Sequence, residues 1–167
     1  PLALDALRRE GIQLTELEGQ DGKSSLAVED QKMSIVLGSD SVGFTLKNKL
    51  QKILKQDGRD VSDFGVFSSQ GEDSLGIAEK VAVGVGGGKY HTGIIVDARC
   101  GLSAILANKV NGVRAMVCHD LISARLARKY IDANVLCLGA EIIGDIVVQE
   151  IVTTWLSTSF DCSHTGQ

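Results

Sequence analysis

The run Asp97-Ala98-Arg99-Cys100-Gly101 follows the β-branched stretch Gly93-Ile94-Ile95-Val96 and places a carboxylate, a guanidinium and a thiol in one short turn. A carboxylate at the end of a strand can act as a general base on a carbon-bound proton, so Asp97 is the candidate catalytic residue. Arg99 beside it would hold Asp97 ionised and lower its pKa, which weakens it as a base. An Asp97–Arg99 ion pair with a structural or binding role is the competing expectation. Arg99 is also a candidate for gripping an acidic group on a ligand. Farther along, His119-Asp120 ends another apolar run, where an aspartate can simply cap the next helix. Gly84-Val85-Gly86-Gly87-Gly88-Lys89 has the composition of a phosphate loop but follows a helix and precedes a strand. A phosphate loop needs the reverse order, so this run reads as a helix stop.

From Met33 onward, short β-branched runs alternate with helix-period segments. The pattern predicts strands at 34–37, 60–64, 93–96, 114–117 and 134–138, and helices at 42–56, 74–85, 102–109, 121–130 and 145–156. Five βα units imply an α/β fold, a Rossmann-like three-layer α/β/α arrangement around a five-stranded parallel sheet. Ligands of such folds bind at the carboxyl ends of the strands, near the point where strand order reverses. The loops to watch are therefore 38–43, 65–73, 97–101, 118–120 and 139–144. Residues 1–32 read differently: Leu2, Leu4, Leu7, Ile12, Leu14 and Leu17 stand in a charged background, followed by a polar stretch. The expected organisation is an N-terminal extension and linker at 1–32, one domain at 33–160, and a tail at 161–167 leading to a further C-terminal domain, the whole being a fragment of a longer protein.

At 167 residues with 44% hydrophobic content, the chain can build one real core. A formal charge of −4 with interspersed signs gives no basic stripe, which argues against binding to phosphate backbones. Cys100, Cys118, Cys137 and Cys162 lack CxxC spacing and are expected as buried reduced thiols, with no metal site and no cofactor. No apolar run approaches the roughly 18 residues of a membrane span, and the start lacks a signal-peptide pattern. The expectation is a soluble cytoplasmic protein, with a plastid location also open.

Several motifs recur in a characteristic order: Gly38-Ser39-Asp40-Ser41-Val42-Gly43-Phe44, Ala107-Asn108-Lys109, Val117-Cys118-His119-Asp120, Ser123-Ala124-Arg125-Leu126-Ala127-Arg128 and Asp132-Ala133-Asn134-Val135-Leu136. On these the region 33–160 resembles the ribose-5-phosphate isomerase type B and galactose-6-phosphate isomerase family. The resemblance implies interconversion of aldose and ketose phosphates, without a metal, in a cleft completed by the second subunit of a dimer.

The same resemblance implies roles at individual positions. Asp40 matches the family's first sugar-contacting residue, while Ser41 stands where the family has histidine. Asp73-Ser74-Leu75 replaces Asp-Tyr-Pro, and Asp97-Ala98-Arg99-Cys100 replaces Cys-Gly-Thr-Gly or its serine equivalent. Cys100 is three positions late and is not carried over as the base; an alternative glutamate base would fall at Ser103. The ring-opening His-Asn becomes Tyr130-Ile131, and the first phosphate-binding arginine would fall at His164. With only Gly101 left of the glycine-rich turn, the backbone anion nest is expected to be lost. Asn108 and Arg114 are expected to tie the third helix to the fourth strand.

The candidate ligand set is therefore Asp40, Ser41, Asp73, Arg99, Gly101 and Tyr130. The resulting expectation is a catalytically degenerate domain that forms a homodimer, takes a small sugar or sugar phosphate, and contacts neither nucleic acid nor membrane. The alternatives are an active aldose-ketose isomerase with Asp97 as base, and a partner subunit of a competent paralogue. The chain is similar as well to plant proteins named for DNA-damage repair and toleration, in which such a domain precedes a small β-barrel domain of the cupin type.

Overall fold

A computed structural model of the chain describes residues 33–65, 74–161 and 163. The expected extension at 1–32 lies outside the described residues, as do Asp73 and most of the tail at 161–167. The elements run β1 (Ser34–Ser39), α1 (Phe44–Gln56), β2 (Asp60–Asp63), α2 (Ser74–Gly86), β3 (Thr92–Asp97), α3 (Gly101–Ala107), β4 (Ala115–Val117), α4 (Leu121–Ile131), β5 (Val135–Gly139) and α5 (Asp145–Ser157). All four strand pairings are parallel, in the order β2-β1-β3-β5-β4. The Rossmann-like expectation holds in every element, with boundaries displaced by one or two residues.

Those displacements have local causes. The first helix begins at Phe44 because the Asp40 carboxylate takes the Gly43 N–H at 2.7 Å and holds residues 40–43 in a turn. β4 loses Arg114 from its expected span: the Arg114 N–H donates to the Asn134 side chain at 2.8 Å instead of to a strand neighbour. The glycine-rich run after Val83 is the helix stop foreseen from its position. α2 ends at Gly86 and the turn is closed by Gly88 at φ 73°, a left-handed conformation that glycine adopts without a Cβ clash.

A parallel sheet must be covered on both faces, and alternate strand residues show the two layers. Leu37, Ile94, Val96 and Leu136 pack with Leu46, Leu50 and Leu54 of α1, Ala124 of α4, and Ile151 and Trp155 of α5. Val36, Ile95, Val135 and Cys137 pack on the other face with Ala78, Val81, Ala82 and Val85 of α2 and with Ala104 and Ala107 of α3. β3, central in the sheet, is buried at all six positions. Its last residue, Asp97, is thereby brought to the carboxyl edge on a rigid support.

Among the described residues no helix is long and apolar enough to cross a membrane.

Candidate functional site

Strand order reverses between β1 and β3: the chain steps from β1 outward to β2, then returns to pair β3 on the other side of β1. Asp40 follows β1 and Asp97 ends β3, so both stand at this switch point. A pocket of about 150 Å3 opens there, lined by Asp40, Asp97, Ala98, Arg99, Gly101 and Leu102 among others. Four of the residues singled out from sequence, Asp40, Asp97, Arg99 and Gly101, are thus brought together.

Asp40 is a strap between two loops. Its Oδ1 accepts the Gly43 N–H at 2.7 Å and its Oδ2 accepts the Ala98 N–H at 3.0 Å, while its own N–H donates to the Val96 carbonyl at 3.3 Å. Each carboxylate oxygen already has a backbone donor, which fixes the β1–α1 loop against the β3–α3 loop. Ser41 is half-buried in the same turn and is not among the pocket's lining residues.

Asp97 is 7% exposed, and its carboxylate is enclosed by its own loop. Oδ1 accepts the N–H groups of Arg99, at 3.0 Å, and of Cys100; Oδ2 accepts the hydroxyl of Ser103. This corrects two expectations. The Arg99 guanidinium does not pair with Asp97 but reaches Glu141 at 3.5 Å, because backbone N–H groups fill the space beside the carboxylate and turn the Arg99 side chain outward. The converging backbone donors have not vanished with the glycines either. Cys100 takes the left-handed conformation at φ 56°, while Gly101 is an ordinary helical residue, so the turn survives and closes on Asp97 itself.

The loop is tied to the next strand end as well. The Asp97 carbonyl accepts from Ala140 N–H at 2.7 Å and the Ala98 carbonyl from Glu141 N–H at 3.1 Å. Asp120 caps α4 as its position suggested, accepting from Ile122 and Ser123 N–H at 2.8 Å each. Those donors hold the Asp120 carboxyl below its ordinary value, and His119 beside it is exposed. Asn108 joins the end of α3 to Ala115 of β4 through both its amide groups, whereas Arg114 reaches Asp132 beyond α4 rather than α3. Tyr130 lies near the end of α4, which starts at the carboxyl edge of the sheet and runs back to its amino edge. One chain therefore does not bring Tyr130 to Asp97.

Cys100, Cys118 and Cys137 are buried free thiols. Burial, with the Asp97 charge second, pushes Cys100 up to about 11; burial pushes Cys118 up to about 11, and it drives Cys137 well above the ordinary range. At neutral pH they are inert thiols rather than nucleophiles. The sign of the linkage follows: a thiol bound to its proton more tightly when folded contributes stability below its ordinary value of 9.0 and loses it as pH rises toward about 11. Denaturant midpoints followed by Trp155 fluorescence should therefore fall between those values, and Cys118→Ala should shallow the fall. A midpoint that rises over this interval would contradict the assignment.

Two features escaped sequence reading. Ser103 was seen only as a missing base, although a serine in the first turn of the helix after Asp97 is well placed to donate back to it. Lys47 is 0% exposed and donates to Asp63 Oδ2 at 2.6 Å, and Asp63 Oδ1 accepts the Gly65 N–H at 2.8 Å. Its signal was a lysine at helical spacing with Leu50 and Leu54 on the apolar face of α1.

The five-stranded parallel sheet and its switch-point pocket together define a doubly wound α/β domain. The family described as Ribose/Galactose Isomerase matches residues 35–167, and the chain belongs to that family. D-erythrulose-4-phosphate isomerase of Pectobacterium atrosepticum is 39% identical over 134 residues, covering 77% of this chain and 86% of that protein. Ribose-5-phosphate isomerase B of Escherichia coli is 38% identical over 130 residues, covering 76% and 85%. Ribose-5-phosphate isomerase B of Clostridium thermocellum superposes with a TM-score of 0.75 at 38% identity, covering 77% of this chain and 86% of that one. The Mycoplasma genitalium enzyme with bound ribulose-5-phosphate gives a TM-score of 0.74 at 31% identity, covering 77% and 86%.

Proposed function

We propose that this domain is a catalytically degenerate member of the ribose/galactose isomerase family, retained to bind a small sugar or sugar phosphate in a dimeric cleft, in a stress or DNA-damage-toleration protein. One observation carries the reading: the side chain at the position of the family's thiol or hydroxyl, Asp97, is buried and accepts three hydrogen bonds, two from the turn that follows it and one from Ser103 in the first turn of α3. A general base must offer a lone pair within reach of the substrate's proton, and three of the roughly four lone-pair sites of this carboxylate are already taken by neighbouring donors, which restrains it in its own turn. Asp40, the surviving family position, has both oxygens engaged by backbone. The acidic net charge disfavours direct contact with nucleic acid.

A second reading is supported by the relatives, which are named as isomerases at 38–39% identity. In it Asp97 is the base of an active aldose-ketose isomerase. Purified protein incubated with ribose 5-phosphate, ribulose 5-phosphate and D-erythrulose 4-phosphate separates the two. Degeneracy predicts no interconversion by the wild type or by Asp97→Asn. Turnover by the wild type that disappears in Asp97→Asn would establish the second reading instead.

The dimer is argued from the carboxyl edge. Val42, Leu102, Ile122, Ile142 and Ile146 are exposed large apolar residues, each in a loop or first helical turn at the end where the strands finish. Apolar side chains exposed along this edge of the sheet are what a second copy would cover. A site using both Asp97 and Tyr130 would then take Tyr130 from the second chain. Light scattering at micromolar concentration should give twice 17.7 kDa, and Ile146→Glu, at a position 75% exposed, should move the protein to monomer. A wild-type monomer at that concentration would remove the argument for a shared cleft.

A further inference from the structure

A larger cavity lies away from the switch point, between α2 and the edge strand β2, with a volume of about 760 Å3. One stripe of α2 forms its wall: Gly76, Lys80, Val83 and Gly84 recur at helical spacing, and two of the four have no side chain to fill the groove. Its floor is Phe64, whose ring meets Tyr90 edge to face at 5.4 Å between centroids. Gly84 is needed there, because a Cβ would stand 3.0 Å from Tyr90 and 3.4 Å from Phe64. Val83 is 55% exposed although it lies on this apolar surface.

The charges around the groove are unequal in availability. Asp63 is spent on Lys47 and on the Gly65 N–H. Lys80 and Lys89 make no ion pair among the described residues, and the Lys89 ammonium stands 5.7 Å from the Phe64 centroid and 5.4 Å from that of Tyr90. Glu79, also on the wall, leaves the available charge net positive. An apolar slot floored by an aromatic ring, with two ammonium groups at hand and one carboxylate, matches a flat ring that carries an anionic group.

We propose that this groove is a second ligand site, independent of the switch-point pocket, for an aromatic or heteroaromatic anion. The ring lies against Phe64 and Val83, its anionic group faces Lys89 and Lys80, and the carboxylate of Glu79 is placed to accept from a donor on the ring. None of this depends on whether Asp97 works as a base.

The aromatic sulfonate 1-anilinonaphthalene-8-sulfonate is a direct probe, because its fluorescence rises on entering an apolar site. Titration of the whole protein should give saturable binding at one molecule per chain, in the range of tens of micromolar. Gly76→Leu is the decisive variant: among the described residues a Cβ there meets nothing within 4 Å, so the side chain can enter the groove without disturbing the helix. Gly76→Leu and Lys89→Glu should each weaken binding by ~10-fold or more, while Lys52→Glu on the exposed side of α1 leaves it unchanged. Enhancement that does not saturate, or that survives Gly76→Leu with unaltered thermal stability, would overturn the proposal.

Discussion

Asp63→Ala is expected to destabilise the domain by about 3–5 kcal/mol, because it removes the carboxylate whose charge offsets the desolvation of a fully buried ammonium. The Lys47 side chain is 1% exposed and Asp63 12% exposed, with 2.6 Å between Nζ and Oδ2. Attraction between the two charges offsets their desolvation only while both are present. Lys47→Met should cost less, since Asp63 keeps the Gly65 N–H and some solvent, and Lys47→Met combined with Asp63→Leu should recover much of the loss. The measurement is a double-mutant cycle in urea unfolding. If the two single changes were additive, the pair would have no coupling and the account would fail.

Gly43→Ala is expected to be at least as damaging, about 3 kcal/mol or more, for a reason of space alone. A Cβ at Gly43 would lie 2.0 Å from the carbonyl oxygen of Val96 and 2.6 Å from its carbon. Its φ of −74° is open to any residue, so strain in the glycine's own backbone is not the cause. The obstacle is β3 itself, and relief requires the start of α1 to move away from it. That movement would break the Asp40 bonds to Gly43 and Ala98 together, opening the strap across the switch point. Denaturation midpoints and amide exchange at Ala98 should therefore change in the same variant. A well-folded Gly43→Ala with Ala98 still protected would show that α1 can shift without disturbing the site.

Gly43 bears on the switch-point pocket although it does not line it. Gly43 lets the first turn of α1 approach β3 closely enough for Asp40 to span two loops, and the Lys47–Asp63 pair fixes the neighbouring end of β2. Cavity shape at the switch point is thus set by contacts that carry no catalytic chemistry.

Periodicity alone decided the architecture. Short, continuously apolar β-branched runs and helical segments with apolar residues three and four apart can be satisfied together only by strands and helices in alternation, and five such units demand a parallel sheet covered twice. The position of Asp97 at a carboxyl edge, the capping role of Asp120 and the helix stop after Val83 were readable for the same reason, since each depends on neighbours within a few residues. The partner of Arg99 was not readable: the Asp97 carboxylate is closed by donors from its own turn, and Glu141 arrives from a loop some forty positions away only because β3 pairs β5. Nor could spacing reveal that Cys100 would hold a left-handed conformation in place of glycine, or that Lys47 would find Asp63 beneath the sheet edge. Those outcomes belong to the tertiary structure, because hydrogen-bond donors and buried charges are satisfied by whatever the assembled sheet brings within reach, and that set is fixed by strand order rather than by sequence distance.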